Sequence, residues 1–177
     1  MKKFTAQSIW LVAGFAIFCF STLFSDDAEC SIININARYN TPANPIVEYL
    51  TAGTYDVTPI GVADGGLYNS WNAWGFVSLP SAGWLHRYDL SSIEFSAYSV
   101  GDFTLYSTDL LALSNADGTR FTLAADGNVN FFITDSVYYD NIGGVSLSVG
   151  AVPIPAPALL LCSGLFALLG LRKRIKR

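Results

Sequence analysis

The chain is expected to fold as an all-β domain, a β-sandwich or jelly roll, and three features of its sequence carry that expectation. Apolar and polar residues alternate at period two through most of the middle of the chain, as half-buried strands require. Turn residues interrupt the alternation at short intervals. Only one brief segment shows helical spacing. A hydrophobic segment flanked by lysine or arginine lies at each end of the 177 residues, leaving residues 26–151 for one soluble domain.

From the front, residues 1–25 have the layout of a secretion signal that would form a helix. Lys2 and Lys3 supply the positive start, and Ile9 to Phe20 supply an apolar run shorter than the ~20 residues a bilayer span needs. Passage through the general secretory translocon and removal by signal peptidase follow, with cleavage after Ser21 or after Ser25. The alternative is an uncleaved anchor. Cys19 and Cys162 fall in the two terminal segments, so a mature domain would keep Cys30 alone and form no internal disulfide. Its stability then has to come from an ordinary core.

Strands follow in order. Ile33 and Ile35 alternate with Asn34 and Asn36, Tyr55 and Val57 with Asp56 and Thr58, and Ile93 and Phe95 with Glu94 and Ser96. The pattern recurs at Phe121 and Leu123, at Val129, Phe131 and Ile133, and at Val145, Leu147 and Val149, so that about seven strands fit. Asp126-Gly127 suits the positive φ angles of a tight hairpin joining 120–124 to 128–134. Residues 107–116, with Leu110, Leu111 and Leu113, form the one candidate short helix, brief enough to be a connecting turn instead.

Charge is sharply segregated. All fourteen acidic residues lie between Asp26 and Asp140, where only Arg38, Arg87 and Arg120 oppose them, so the middle carries a net −11. Such a domain repels nucleic acid and anionic lipid and suits surroundings rich in divalent cations.

Residues 61–87 break the alternation and carry Tyr68, Trp71, Trp74, Phe76 and Trp84 among Gly, Asn and Ser. Loops of this length in compact domains are usually functional or disordered, and three tryptophans argue against disorder; sugar rings stack on indoles through their C–H faces. Trp71, Trp74 and Tyr68 are the candidate stacking residues, with Asn69 and Asn72 as hydroxyl partners. The alternative is that these side chains plug the open end of the sandwich.

Asp135-Ser136-Val137-Tyr138-Tyr139-Asp140-Asn141-Ile142-Gly143-Gly144 clusters oxygen ligands ahead of the strand 145–149. Here, and in the glycine turn and strand of residues 52–57, the domain resembles the small calcium-dependent galactose-binding jelly-roll lectins of bacteria. That resemblance implies calcium as cofactor, a glycan as partner, and Asp135, Asp140 and Asn141 as metal ligands. Three departures stand: the threonine ligand of the lectins has no clear counterpart, the loop is shorter, and Asp140 replaces an asparagine. Calcium takes 6–8 oxygens, more than this loop supplies. The same residues also make a good hairpin turn.

The C-terminus has three parts in order: Val152-Pro153-Ile154-Pro155-Ala156-Pro157, an apolar run of fourteen residues from Ala158 to Leu171 containing Ser163-Gly164-Leu165, and Arg172-Lys173-Arg174-Ile175-Lys176-Arg177. The prolines hold an extended peptide accessible to a protease. The short apolar helix and basic end suit a temporary anchor in the inner membrane with its tail on the cytoplasmic side. Residues 152–177 resemble the PEP-CTERM sorting signal in its V-P-x-P-A form, which implies recognition by an exosortase of the matching subtype, since Ile154 stands where the name-giving motif has glutamate. A plain tail anchor is the alternative reading.

An enzyme is not expected. The single histidine, His86, has no cysteine partner and no metal-ligand spacing, and no serine lies in a nucleophile elbow. The carboxylate pairs Asp102 with Asp109 and Asp135 with Asp140 are such as any acidic domain offers. Two classes of function remain: a carbohydrate-binding surface module tied to exopolysaccharide, and a structural surface or matrix protein without a ligand of its own.

Overall fold

A computed structural model describes residues 30–74 and 83–153. The expected signal helix, the apolar run 158–171 and the sorting residues Pro155, Ala156, Ser163, Gly164, Arg172, Lys173 and Arg174 lie outside the described residues. Within them the chain runs through β1 (Cys30–Asn36), β2 (Ile46–Leu50), β3 (Gly53–Ile60), β4 (Trp71–Asn72), β5 (Tyr88–Ser92), β6 (Tyr98–Val100), α1 (Asp109–Ser114), β7 (Thr119–Leu123), β8 (Gly127–Phe132) and β9 (Ile142–Ala151).

The strands form two antiparallel sheets, as the all-β expectation requires. One has the order β1-β9-β3-β7, with β4 paired to the start of β9, and the other has the order β2-β8-β5-β6. Period-two alternation decides which faces meet. Ile33 opposes Leu147 and Ile35 opposes Val145 across β1 and β9, and all four are buried. From the second sheet, Leu50, Val129, Phe131, Tyr88, Leu90 and Val100 join the same core. Each buried aliphatic side chain contributes about 1.5–3 kcal/mol relative to exposure, so this shared interior is what holds the sheets together.

Two local expectations are corrected. Residues 119–123 and 127–132 do not form a hairpin, because β7 pairs with β3 in one sheet while β8 lies between β2 and β5 in the other. The connection crosses from sheet to sheet, and Gly127 is not among the positive-φ glycines. Side chains from elsewhere hold it: the Glu94 carboxylate accepts from the backbone N–H groups of Ala124 and Ala125 at 2.6 and 2.8 Å, and Asp126 accepts from that of Ala52 at 2.8 Å.

Ile93 and Phe95 likewise belong to the turn between β5 and β6 rather than to a strand. Ile93 is 96% exposed, whereas Phe95 folds in against Phe121 and Tyr98, with ring centroids 5.6 and 5.8 Å away. Alternation this short cannot tell a strand from a turn whose second apolar residue doubles back.

The helical spacing in residues 107–116 does correspond to a helix, α1. The Thr108 hydroxyl caps it by accepting from Leu111 N at 3.1 Å, satisfying one of the otherwise unpaired N–H groups of the first turn. Asn69 donates to the Asp109 carboxylate at 2.8 Å, and Ser70 donates to the Asp109 carbonyl at 3.0 Å. These bonds tie the helix to the segment leading into β4.

Candidate functional site

The two segments singled out for ligand chemistry meet at one place in the fold. β4 pairs with the start of β9, Trp71 opposite Gly143 and Asn72 opposite Ile142, so the aromatic segment lies beside the end of the Asp135–Asn141 loop. Gly143 and Gly144 make this approach possible. Gly143 has φ +79°, and a Cβ there would stand 2.5 Å from the Ser70 carbonyl; one on Gly144 would stand 2.2 Å from the Ile35 carbonyl and 2.7 Å from the Tyr68 ring. Any side chain at either position would push the strands apart.

Asn141 is 1% exposed. Its Nδ2 donates to the Ala37 carbonyl at 3.0 Å, which leaves its Oδ1 buried without a hydrogen-bond partner. Oδ1 of Asp140 is also buried and unpartnered. An unsatisfied buried polar group costs about 1–3 kcal/mol, so each of these oxygens calls for a partner, whether water, an N–H or O–H donor or a cation. Both are hard oxygen donors of the kind calcium prefers. Asp135 opens the loop half-exposed, and its Oδ1 accepts from Ser136 N at 2.7 Å. Among the described residues, no three His, Cys, Asp or Glu side chains converge as a metal-ligand group, so a cation here would also need carbonyl, amide or water oxygens.

The aromatic segment divides sharply. Trp71 is 2% exposed; its indole N–H donates to the Arg87 carbonyl at 3.0 Å, and its backbone bridges Leu85 in both directions. Its expected role as a stacking platform is therefore corrected: Trp71 is a core residue with no ring face for a sugar. Asn72 is buried too, its Oδ1 accepting from Trp74 N at 2.9 Å. Tyr68 is half-buried and accepts from Asn36 Nδ2 at 2.9 Å through its hydroxyl. Trp74, 40% exposed, is the member of this group that presents substantial ring surface to solvent. Asn69 is engaged by Asp109 and by Val62 N.

No protein-family model, curated protein or solved structure matches this chain. Its functional reading therefore rests on the chemistry of its own residues.

His86, which the sequence offers no catalytic or metal partner, is buried in the fold. It is 5% exposed, and neither ring nitrogen has a hydrogen-bond partner among the described residues. Burial pushes its pKa down to about 4, so the imidazole is neutral at pH 7. A lone histidine in an aromatic stretch carries no local signal of such burial, which arises from elements distant in sequence. The Asp102 and Asp109 carboxylates are each engaged within the fold, Asp102 by Thr104 N and Oγ1 at 2.8 Å, Asp109 by Asn69 and by its neighbour Leu110.

Proposed function

We propose that this chain is an exported surface protein whose β domain binds a glycan with the help of calcium. The observation that carries this reading is the pair of buried, unpartnered oxygens on Asp140 and Asn141 beside the strand that leads to the exposed ring of Trp74. Asp140 and Asn141 would hold the cation, with Asp135 closing the loop. Calcium would neutralise the carboxylates and leave positions for sugar hydroxyls, and Trp74 would stack on the ring. The strand order favours the jelly-roll form of the fold. With two-residue β4 set aside, the remaining eight strands run first-eighth-third-sixth in one sheet and second-seventh-fourth-fifth in the other, the double Greek key of that architecture.

Export rests on the basic start and apolar run of residues 1–25, and exosortase sorting on Val152-Pro153-Ile154-Pro155-Ala156 with the apolar run and basic end that follow. A second reading, a structural matrix protein without its own ligand, is favoured by the enclosure of Trp71 and Asn72 in the fold. Calcium decides between them. With the full chain in a polyoxyethylene detergent, millimolar calcium should raise the melting temperature, by an amount equivalent to about 2.7 kcal/mol at a hundredfold excess over the dissociation constant. Asp140→Ala should remove the shift. Trp74→Ala should keep it while weakening binding on a glycan array that is itself sensitive to chelator. No thermal shift with calcium would leave the structural reading in place.

A further inference from the structure

The last strand of the domain runs directly into the segment that resembles a sorting signal. Its two neighbours do not accompany β9 equally far. β1 begins opposite Gly150, with Cys30 as the partner, whereas β3 carries the ladder one residue further, with Tyr55 opposite Ala151. Beyond that pair the Val152 N–H donates to the Thr54 carbonyl at 2.8 Å. Val152 opens the sequence Val152-Pro153-Ile154-Pro155-Ala156, so the first residue of the motif is held by the sheet, half-buried.

Pro153 ends the ladder for a chemical reason. It has no N–H to donate, and proline is confined to the edges and ends of strands on that account. It is exposed, and the compact domain has Val152 as its last residue. The border between domain and tail thus falls inside the motif, one residue after its start.

An enzyme that binds a peptide as an extended chain takes hold of its backbone N–H and C=O groups, as an added strand does. The N–H that it would take from Val152 is already given to Thr54. That bond has to open first, and cleavage then follows the population of the opened form. Ser146 to Gly150 are paired on both sides, whereas Ala151 and Val152 are held by β3 alone. Release is therefore confined to two residues.

We propose that β3 gates processing of the tail: the folded domain withholds Val152 from an enzyme that binds the tail as an extended chain, so that cutting waits on local release of Ala151 and Val152 and falls beyond Val152. In the cut the C–N bond of the peptide breaks, and water gives its hydroxyl to the acyl carbon and its proton to the leaving amine. The identity of the enzyme rests on the sorting reading; the withholding does not.

Elastase, which cuts after small aliphatic residues, tests the withholding without an exosortase. A free peptide of residues 146–158 should be cut between Ala151 and Val152, and the full chain in a polyoxyethylene detergent should resist at that bond by about tenfold or more. Inserting Gly-Ala-Gly-Ala between Ala151 and Val152 offers Thr54 a new N–H and recreates the Ala-Val bond off the sheet, at its original distance from the apolar run. That bond should be cut at nearly the rate of the peptide. Wild-type cleavage there as fast as in the peptide would overturn the proposal, and so would equal resistance in the inserted chain, because the shield would then be the tail's surroundings. In a pulse-chase in an exosortase-containing host, the insertion should speed processing about three- to tenfold, and equal rates would likewise overturn the gate. Processing of neither chain, with the elastase contrast intact, would remove the sorting reading and leave the hold of β3 on Val152 supported.

Discussion

Trp71 and Trp74 are three residues apart and chemically identical, yet they have opposite roles. Trp71 fills the core and caps the Arg87 carbonyl, whereas Trp74 is 40% exposed. Trp71→Ala should cost about 3–5 kcal/mol, as large-to-small core substitutions do, and Trp74→Ala should change stability by about 0.5 kcal/mol or less; chemical denaturation of the two variants checks the contrast. His86 gives a pH dependence whose sign follows from its environment. Its pKa falls from 6.5 to about 4 on folding, so between those values the unfolded chain binds a proton that the folded chain refuses. The stability that His86 contributes is full well above pH 6.5 and is lost as pH falls through 6.5 towards 4, by about 3 kcal/mol in all. Melting curves between pH 7 and 4.5 should show the decline, and His86→Leu should flatten it.

At the scale of elements, the crossing from β7 to β8 depends on side chains remote in sequence rather than on turn chemistry. Glu94 holds two consecutive N–H groups there. Glu94→Ala should therefore destabilise the domain by about 1 kcal/mol, whereas Gly127→Ala should be nearly neutral, since a Cβ there meets nothing within 4 Å and φ is not positive. A true Asp-Gly hairpin would give the reverse ranking, so equilibrium unfolding of the two variants separates the cases. Within β8, Phe131 is fully enclosed. Phe131→Asp places a carboxylate in the shared core without a partner, a cost of several kcal/mol, and should abolish the cooperative melt.

For the whole molecule, the segregation of charge and apolarity bears on where the chain travels. Basic residues cluster at the two ends and acidic ones in the middle, an arrangement suited to an exported domain between two membrane-directed segments. Mass spectrometry of the mature protein from an exosortase-containing host should show loss of the residues before about Asp26 and a new C-terminus near residues 152–157. Retention of Arg172 to Arg177 would count against the sorting proposal. On the same proposal, removing those six residues should misplace the protein, because a basic end would set which side of the membrane the tail faces.

The strand faces were legible in the sequence because side-chain direction in a strand is a local, period-two property. Ile33, Ile35, Val129, Phe131, Val145, Leu147 and Val149 all point into the core as their spacing predicts. The leucine spacing of α1 made a short helix one of two local readings, and the Thr108 cap seen in the structure decides for it. Partnership between strands was not legible. Asp126-Gly127 carries hairpin chemistry, but the sheet that each flanking strand joins depends on burial of both faces against residues many positions away. The candidate sites divide in the same way. The oxygen-rich loop around Asp140 could be named from its composition, whereas the enclosure of Trp71, the unpartnered oxygens of Asp140 and Asn141 and the burial of His86 are products of packing among elements far apart in the chain. Tertiary structure alone decided these, because burial and the loss of a hydrogen-bond partner belong to the surroundings of a residue and not to the residue itself.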